Sequence, residues 1–233
     1  MMRKKEGQAE ATTERRRVST RSLFPLSIFL LPILLILPGC NLIGAVSYKL
    51  AGPEKVPAKF VPAKEPTLVL VENYAHETMA RAHGETLANF LHEDLSTSDV
   101  FPLVSLETLR ELREGRSDYS TMSIAAIGRA TDAKQVLYVQ LQSSDVNAAV
   151  GGVGLAGRAS ALVKLIDAGS GRTIWPEDLA EGYPVVAATP QGQHEAGSSL
   201  DVQQGMYRNL AEQIDHLFHK WTMPEKGPSS YGS

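Results

Sequence analysis

A single cysteine, Cys40, stands in the chain, and it closes an uncharged apolar run over residues 23–37 through Pro38 and Gly39. With no second cysteine to pair with, whatever folds after it must be held by a hydrophobic core without disulfides. Basic residues Arg15, Arg16, Arg17 and Arg21 precede the run, and small Gly39 precedes the cysteine. That is the segment order of an export signal. The run is only 15 residues long and is interrupted by Pro25 and Pro32, whereas a membrane-spanning helix needs roughly 20 apolar residues. Leu37-Pro38-Gly39-Cys40 therefore reads as a lipobox, with cleavage before Cys40 and acyl chains of the palmitate type on the new terminus. Pro38 stands where Ala or Ser is commoner, and Glu6, Glu10 and Glu14 are mixed into a long basic region. The competing reading is an uncleaved anchor with an unmodified Cys40.

The expected organisation is a lipoprotein signal peptide at 1–39, a lipidated Cys40 and Pro-rich tether at 40–66, one domain at 67–222 and a flexible tail at 223–233. Removal of 1–39 leaves 194 residues, the size of one domain, long enough to bury about two thirds of its unfolded surface. Those residues carry 16 Lys+Arg against 23 Asp+Glu, a net charge of −7. Such a surface repels nucleic acid, so no nucleic-acid partner is expected. Pro53, Pro57, Pro62 and Pro66 punctuate the tether, and Val56-Pro57-Ala58-Lys59-Phe60 nearly recurs as Val61-Pro62-Ala63-Lys64-Glu65. Prolines at this density favour extended, polyproline-like chain.

The domain opens on Thr67-Leu68-Val69-Leu70-Val71, which predicts a strand buried on both faces. A helix to about residue 95 follows, with Ala80, His83, Leu87, Leu91 and Leu95 on one stripe. Residues 100–104 read as a second strand, placed at an edge because Pro102 cannot donate to a ladder. A short helix over 106–114 precedes another that Ser120 caps, with Met122, Ile124, Ile127 and Ala130 on its inner face. Residues 135–141 alternate as a strand, and a loop of small residues follows. Residues 159–167 and 172–175 flank Ala168-Gly169-Ser170-Gly171 as a hairpin, and 182–188 add a strand. The last helix is predicted over 200–222, with Val202, Met206, Leu210, Ile214, Leu217 and Trp221 as its apolar stripe. Helices between the early strands and hairpins between the late ones predict an α/β (α+β) domain: a mixed sheet of about five strands covered by three or four helices.

Two stretches carry a resemblance. Ile127-Gly128-Arg129-Ala130-Thr131-Asp132-Ala133-Lys134-Gln135-Val136-Leu137-Tyr138-Val139 resembles the helix, small-residue corner and strand of bacterial envelope lipoproteins. Leu165-Ile166-Asp167-Ala168-Gly169-Ser170-Gly171-Arg172-Thr173-Ile174-Trp175 is similar to their hairpin of aspartate, glycine and tryptophan. The group contains the curli-secretion lipoprotein, the lipoprotein activators of penicillin-binding proteins and the amino-terminal domain of the Tol translocation protein. The resemblance implies an assembly and docking module rather than a catalyst, and no residue role passes from it by motif. Asn41 is not an inner-membrane retention aspartate, and a resemblance to enterobacterial sorting then implies the outer membrane, facing the periplasm.

The signatures of chemistry are thin. Gly152-Val153-Gly154-Leu155-Ala156-Gly157 matches the letters of a dinucleotide fingerprint, but that motif needs a helix after it and here a strand follows. His76, Glu77 and His83 do not make a zincin motif, because the histidines are seven positions apart. His216 and His219 lie one turn apart on the last helix and could touch one metal, but most such pairs are simply solvated positions flanking an apolar stripe. No Gly-x-Ser-x-Gly elbow is present. The site assignment is therefore lipidation at Cys40, with no catalytic, cofactor-binding or metal residue. The expected partners are a membrane, through the lipid, and another envelope protein. The alternative is an envelope enzyme, a hydrolase whose site has no recognisable signature. A secretion-pore subunit is disfavoured, because 142–158 is too short and its residues too small for a transmembrane hairpin.

Overall fold

A computed structural model describes residues 55–73, 77–148, 154–189 and 198–223. The signal segment, Cys40 and the residues up to 54 lie outside the described residues. In chain order the elements are β1 (Lys55–Val56), β2 (Thr67–Asn73), α1 (Glu77–Thr97), α2 (Leu106–Gly115), a 3-10 turn (Tyr119–Thr121) and α3 (Ile124–Ala130). There follow β3 (Gln135–Ala148), β4 (Leu155–Asp167), β5 (Thr173–Trp175), β6 (Tyr183–Ala188), α4 (Ser199–Asp215) and β7 (Trp221–Thr222). Among the described residues no helix is long and apolar enough to cross a membrane.

The expected mixed sheet is present. β2 runs parallel to β3, from Thr67 opposite Gln135 to Asn73 opposite Leu141. β3 and β4 form a long antiparallel hairpin, and β4 then pairs with β5 near Leu165 and with β6 between Arg158 and Val163. Successive side chains of a strand point to opposite faces, and both faces of β2 are covered. Val69 and Val71 pack with Leu87, Leu91 and Leu95 of α1 and with Met206, Leu210 and Ile214 of α4. Leu68 and Leu70 pack on the other face with Leu109 of α2 and Ile127 of α3. This is why the β2 run is apolar without alternation.

Two glycines set how closely helices approach the sheet. A Cβ on Gly128 would lie 2.6 Å from Val136 Cγ2 and 2.9 Å from Ala168 Cβ, so α3 rests directly on β3. A Cβ on Gly157 would lie 3.2 Å from Met206 Cβ and from Val202 Cγ1, so α4 is seated on the bare backbone of β4. Ser198 fixes the start of α4 through a capping box with Asp201.

The structure corrects four expectations. Residues 100–104 form no strand: Val100 and Phe101 turn into the core, and a single bridge joins Thr67 to Leu103. Ser120 lies in the 3-10 turn, and Ser123 caps α3, its Oγ accepting from the Ala126 N–H. The small residues after 141 are not a loop; β3 continues to Ala148 and β4 begins at Leu155, because small side chains here serve cross-strand pairing and the approach of α4. The last helix stops at Asp215, and Trp221 leaves its stripe to pair in a two-stranded ribbon with Val56. The tether segment, so far as it is described, is laid along the fold. Lys59 and Phe60 donate their N–H groups to the Leu217 carbonyl, Phe60 stacks on Trp175, and Gln135 donates to the Ala63 carbonyl.

Candidate docking groove

β2 is an edge strand. At its start the outer edge is satisfied by the chain that leaves α1: Thr67 N–H donates to the Pro102 carbonyl at 2.8 Å, and Val104 N–H donates to the Thr67 carbonyl at 2.9 Å. Backbone groups of alternate residues in a strand point to the same side, so Val69 and Val71 turn their N–H and C=O away from β3 as Thr67 does. Past Thr67 no strand among the described residues pairs with this edge.

A groove of about 470 Å³ opens there. Its floor is Val71 with Leu106 and Leu109 of α2, and Gly84 and Ala88 of α1 form a wall. An added Cβ on Gly84 would stand 3.6 Å from the Val71 carbonyl oxygen, so the missing side chain is what leaves the strand edge approachable. Charges ring the mouth: Arg81, Arg110 and Arg113 against Glu72 and Glu85. Arg113 stacks over the Tyr119 ring at 5.3 Å and reaches Glu85 at 3.7 Å, while Tyr138 donates its hydroxyl to Glu72 at 2.9 Å. Among the described residues the lining contains no His, Cys or Lys, and Ser120 is its single hydroxyl. An apolar trough with a strand edge along it and arginines at its rim is suited to hold an extended segment. Among the described residues no nucleophile and base meet in its lining.

A second, more polar depression lies at the β4–β5 turn, beside Asp167, Ser170, Arg172 and Glu177. Asp167 Oδ1 accepts from both the hydroxyl and the N–H of Ser170 at 2.6 Å, and these bonds hold its carboxyl below the usual carboxylate range. The aspartate and glycine of the hairpin motif are thus accounted for as a locked turn, with Gly171 at φ +75.

The other candidates scatter. Cys40 and His76 lie outside the described residues. His83 faces α4, 3.2 Å from Gln203 Nε2 and tilted against Tyr207. Leu155–Asp167 is strand, so the glycine-rich letters run into β4 rather than into a helix N-terminus. His216 and His219 do come together, with Asp215 between α1 and α4 as a third group that the sequence reading did not include. The groove itself was missed. The one signal that could have found it is Gly84, a glycine inside a strongly helical pattern, where close approach of another backbone is the usual reason.

No protein-family model and no curated protein matches the chain. Solved structures do resemble it. Lipoprotein GNA1162 from Neisseria meningitidis is 13% identical with a TM-score of 0.42, covering 60% of this chain and 92% of its own. The LpoB C-terminal domain from Salmonella enterica is 22% identical with a TM-score of 0.33, covering 57% and 88%. TolB from Acinetobacter baumannii is 14% identical with a TM-score of 0.29, covering 67% and 30%. The envelope-lipoprotein and Tol resemblance read from the two motifs is met among these structures. At such scores no residue role or activity passes from them.

Proposed function

We propose that this chain is an exported lipoprotein, acylated at Cys40 and held on the cell envelope, whose α/β domain is a non-catalytic docking module for another envelope protein. The observation that carries the docking half is the outer edge of β2 at Val71, with which no strand among the described residues pairs, opening on an apolar groove between α1 and α2. An extended partner segment would add there as a strand, its backbone bonding to Val71, its alternate apolar side chains in the trough and acidic groups at Arg81, Arg110 and Arg113. The likeness to lipoproteins agrees with this reading. A location at the outer membrane, facing the periplasm, is what a resemblance to enterobacterial sorting implies for Asn41 after the lipidated cysteine.

Site-specific photo-crosslinking from Asn89, at the groove wall, tests the docking half in cells. An adduct with one envelope protein is expected, and Gly84→Leu should abolish it, because the new side chain covers the Val71 carbonyl while improving helix propensity by roughly 1 kcal/mol. An adduct that persists in a folded Gly84→Leu protein removes the groove from the proposal. The lipid half rests on the terminus: mass spectrometry of the membrane-extracted protein should find a first peptide beginning at Cys40 with added acyl mass. Retention of residues 1–39 would end it.

A further inference from the structure

The turn that ends α4 gathers Asp215, His216 and His219, whose donor atoms all lie within 4.8 Å of one another. Asp215 is 6% exposed. Its Oδ1 accepts from the Ser98 hydroxyl at 2.6 Å, so the turn that follows α1 aims the carboxylate. Its Oδ2 lies 2.6 Å from His219 Nε2. On the other side of that ring, Nδ1 is 3.0 Å from the Lys220 carbonyl oxygen, which can only accept, so Nδ1 carries a proton. In a neutral imidazole Nε2 is then a lone pair facing a carboxylate oxygen. Two acceptors at that distance share a proton, and a metal ion taking the proton's place with bonds of about 2.0–2.1 Å would part them to about 3.3 Å. A ring N–H tied to a backbone carbonyl is also how metal-ligating histidines are oriented.

His216 supplies the second imidazole. It is held by packing: its ring lies parallel to Trp221, centroids 4.0 Å apart at 2°, and edge-on to His219 at 5.7 Å. The same corner holds an unmet polar atom. Asp94 Oδ2 is sealed from solvent without a hydrogen-bond partner, and Glu212 Oε1 stands 4.0 Å from His216 Nε2.

We propose that Asp215, His216 and His219 form a binding site for a late first-row divalent cation, zinc above all. Two imidazoles and one carboxylate are the mixed donor set of that class, whereas calcium and magnesium prefer oxygen donors alone. Metal–donor bonds of about 2.0–2.1 Å place donors at most ~4.2 Å apart. Small rotations of the two half-buried histidines close the 4.8 Å spread. Three protein ligands leave a fourth position open to water or to a donor from elsewhere. Bound metal would pin the turn whose Leu217 carbonyl receives the Lys59 and Phe60 N–H groups, and so would fasten the incoming chain to the domain.

The full chain, purified in detergent and stripped with a chelator, is titrated with zinc chloride and then with cobalt chloride. One zinc per chain, a raised Tm and visible cobalt d–d bands are expected. His219→Gln and His216→Gln should each weaken zinc by at least about tenfold and quench the cobalt bands. His216→Gln leaves the chain of Ser98, Asp215 and His219 intact, and it decides the matter if His219→Gln does not fold. Absence of any Tm shift at about a hundredfold excess of zinc overturns the site. Equal zinc affinity in parent and His216→Gln does the same, since the ion would then sit on other histidines.

Discussion

Asp94 lies between α1 and α4 with Arg208 at 3.4 Å, and its second carboxylate oxygen has no partner. Burial raises its carboxyl above the ordinary range; Arg208 opposes the shift, and Asp215, Glu93 and Glu212 reinforce it. A raised pKa means that the folded state holds the proton more tightly. The stability this brings is fully present below the unfolded pKa and is lost as pH rises through the folded one. Asparagine mimics the protonated form at every pH, and Arg208 keeps Glu93 at 2.9 Å. With chelator present, Asp94→Asn should therefore gain on the parent protein in denaturant midpoint as pH climbs from about 3.5, near the carboxylate reference value, to neutrality. A gap that narrows over that range would contradict the assignment. Nothing in the sequence marks Asp94, because its environment is made by Arg208 and Asp215, more than a hundred residues away. Ser170 is the opposite case: its bonds to Asp167 are local, so the hairpin motif announces them.

Whole elements follow the same division. The stripe Val202, Met206, Leu210 and Ile214 is fully buried, as the three-to-four spacing required, and Leu87, Leu91 and Leu95 meet it from α1. Leu210→Ala should lower stability by about 2–5 kcal/mol, through lost transfer energy and a cavity that the sheet cannot fill. An unchanged urea midpoint would show that the stripe is a surface and not the core. Where α4 ends was not legible. No glycine or proline stops it; instead Leu217 N–H bonds to Ile214 and Phe218 N–H to Asp215, a tightening that turns Phe218 into the core and frees the Leu217 carbonyl for Lys59 and Phe60. A distant segment terminates this helix. Likewise the small residues of 142–158 resemble a loop by composition, yet Ser143 pairs with Ser160 across the hairpin and Gly157 admits Met206.

At the scale of the whole molecule, a mixed sheet covered by helices, with hairpins joining its late strands, could be read from element order, because local periodicity fixes each piece; the parallel pairing of β2 with β3 could not, since residues 100–104 read as a strand between them. The contribution of the proline-rich segment could not. Its prolines favour extended chain, and extended chain is equally suited to a free tether or to a strap laid across a surface. Here it is a strap: Lys55 and Val56 pair with Thr222 and Trp221, Phe60 stacks on Trp175, and Pro66 accepts from Lys134. A chain beginning at residue 64 would contain every apolar stripe of the domain, and on that ground it should fold. It would lack the Lys55–Val56 pairing with Trp221–Thr222, the Lys59 and Phe60 bonds to the Leu217 carbonyl and the bonds that the Ala63 carbonyl accepts from Glu65 and Gln135, at about 0.5–1.5 kcal/mol per hydrogen bond, together with an aromatic stack of about 0.5–1.5 kcal/mol. Chains starting at 53 and at 64 should therefore both unfold cooperatively, the shorter one less stable by at least about 2 kcal/mol. Equal midpoints would mean that the strap lies on the domain without stabilising it, and that the tether is free along its whole length in solution.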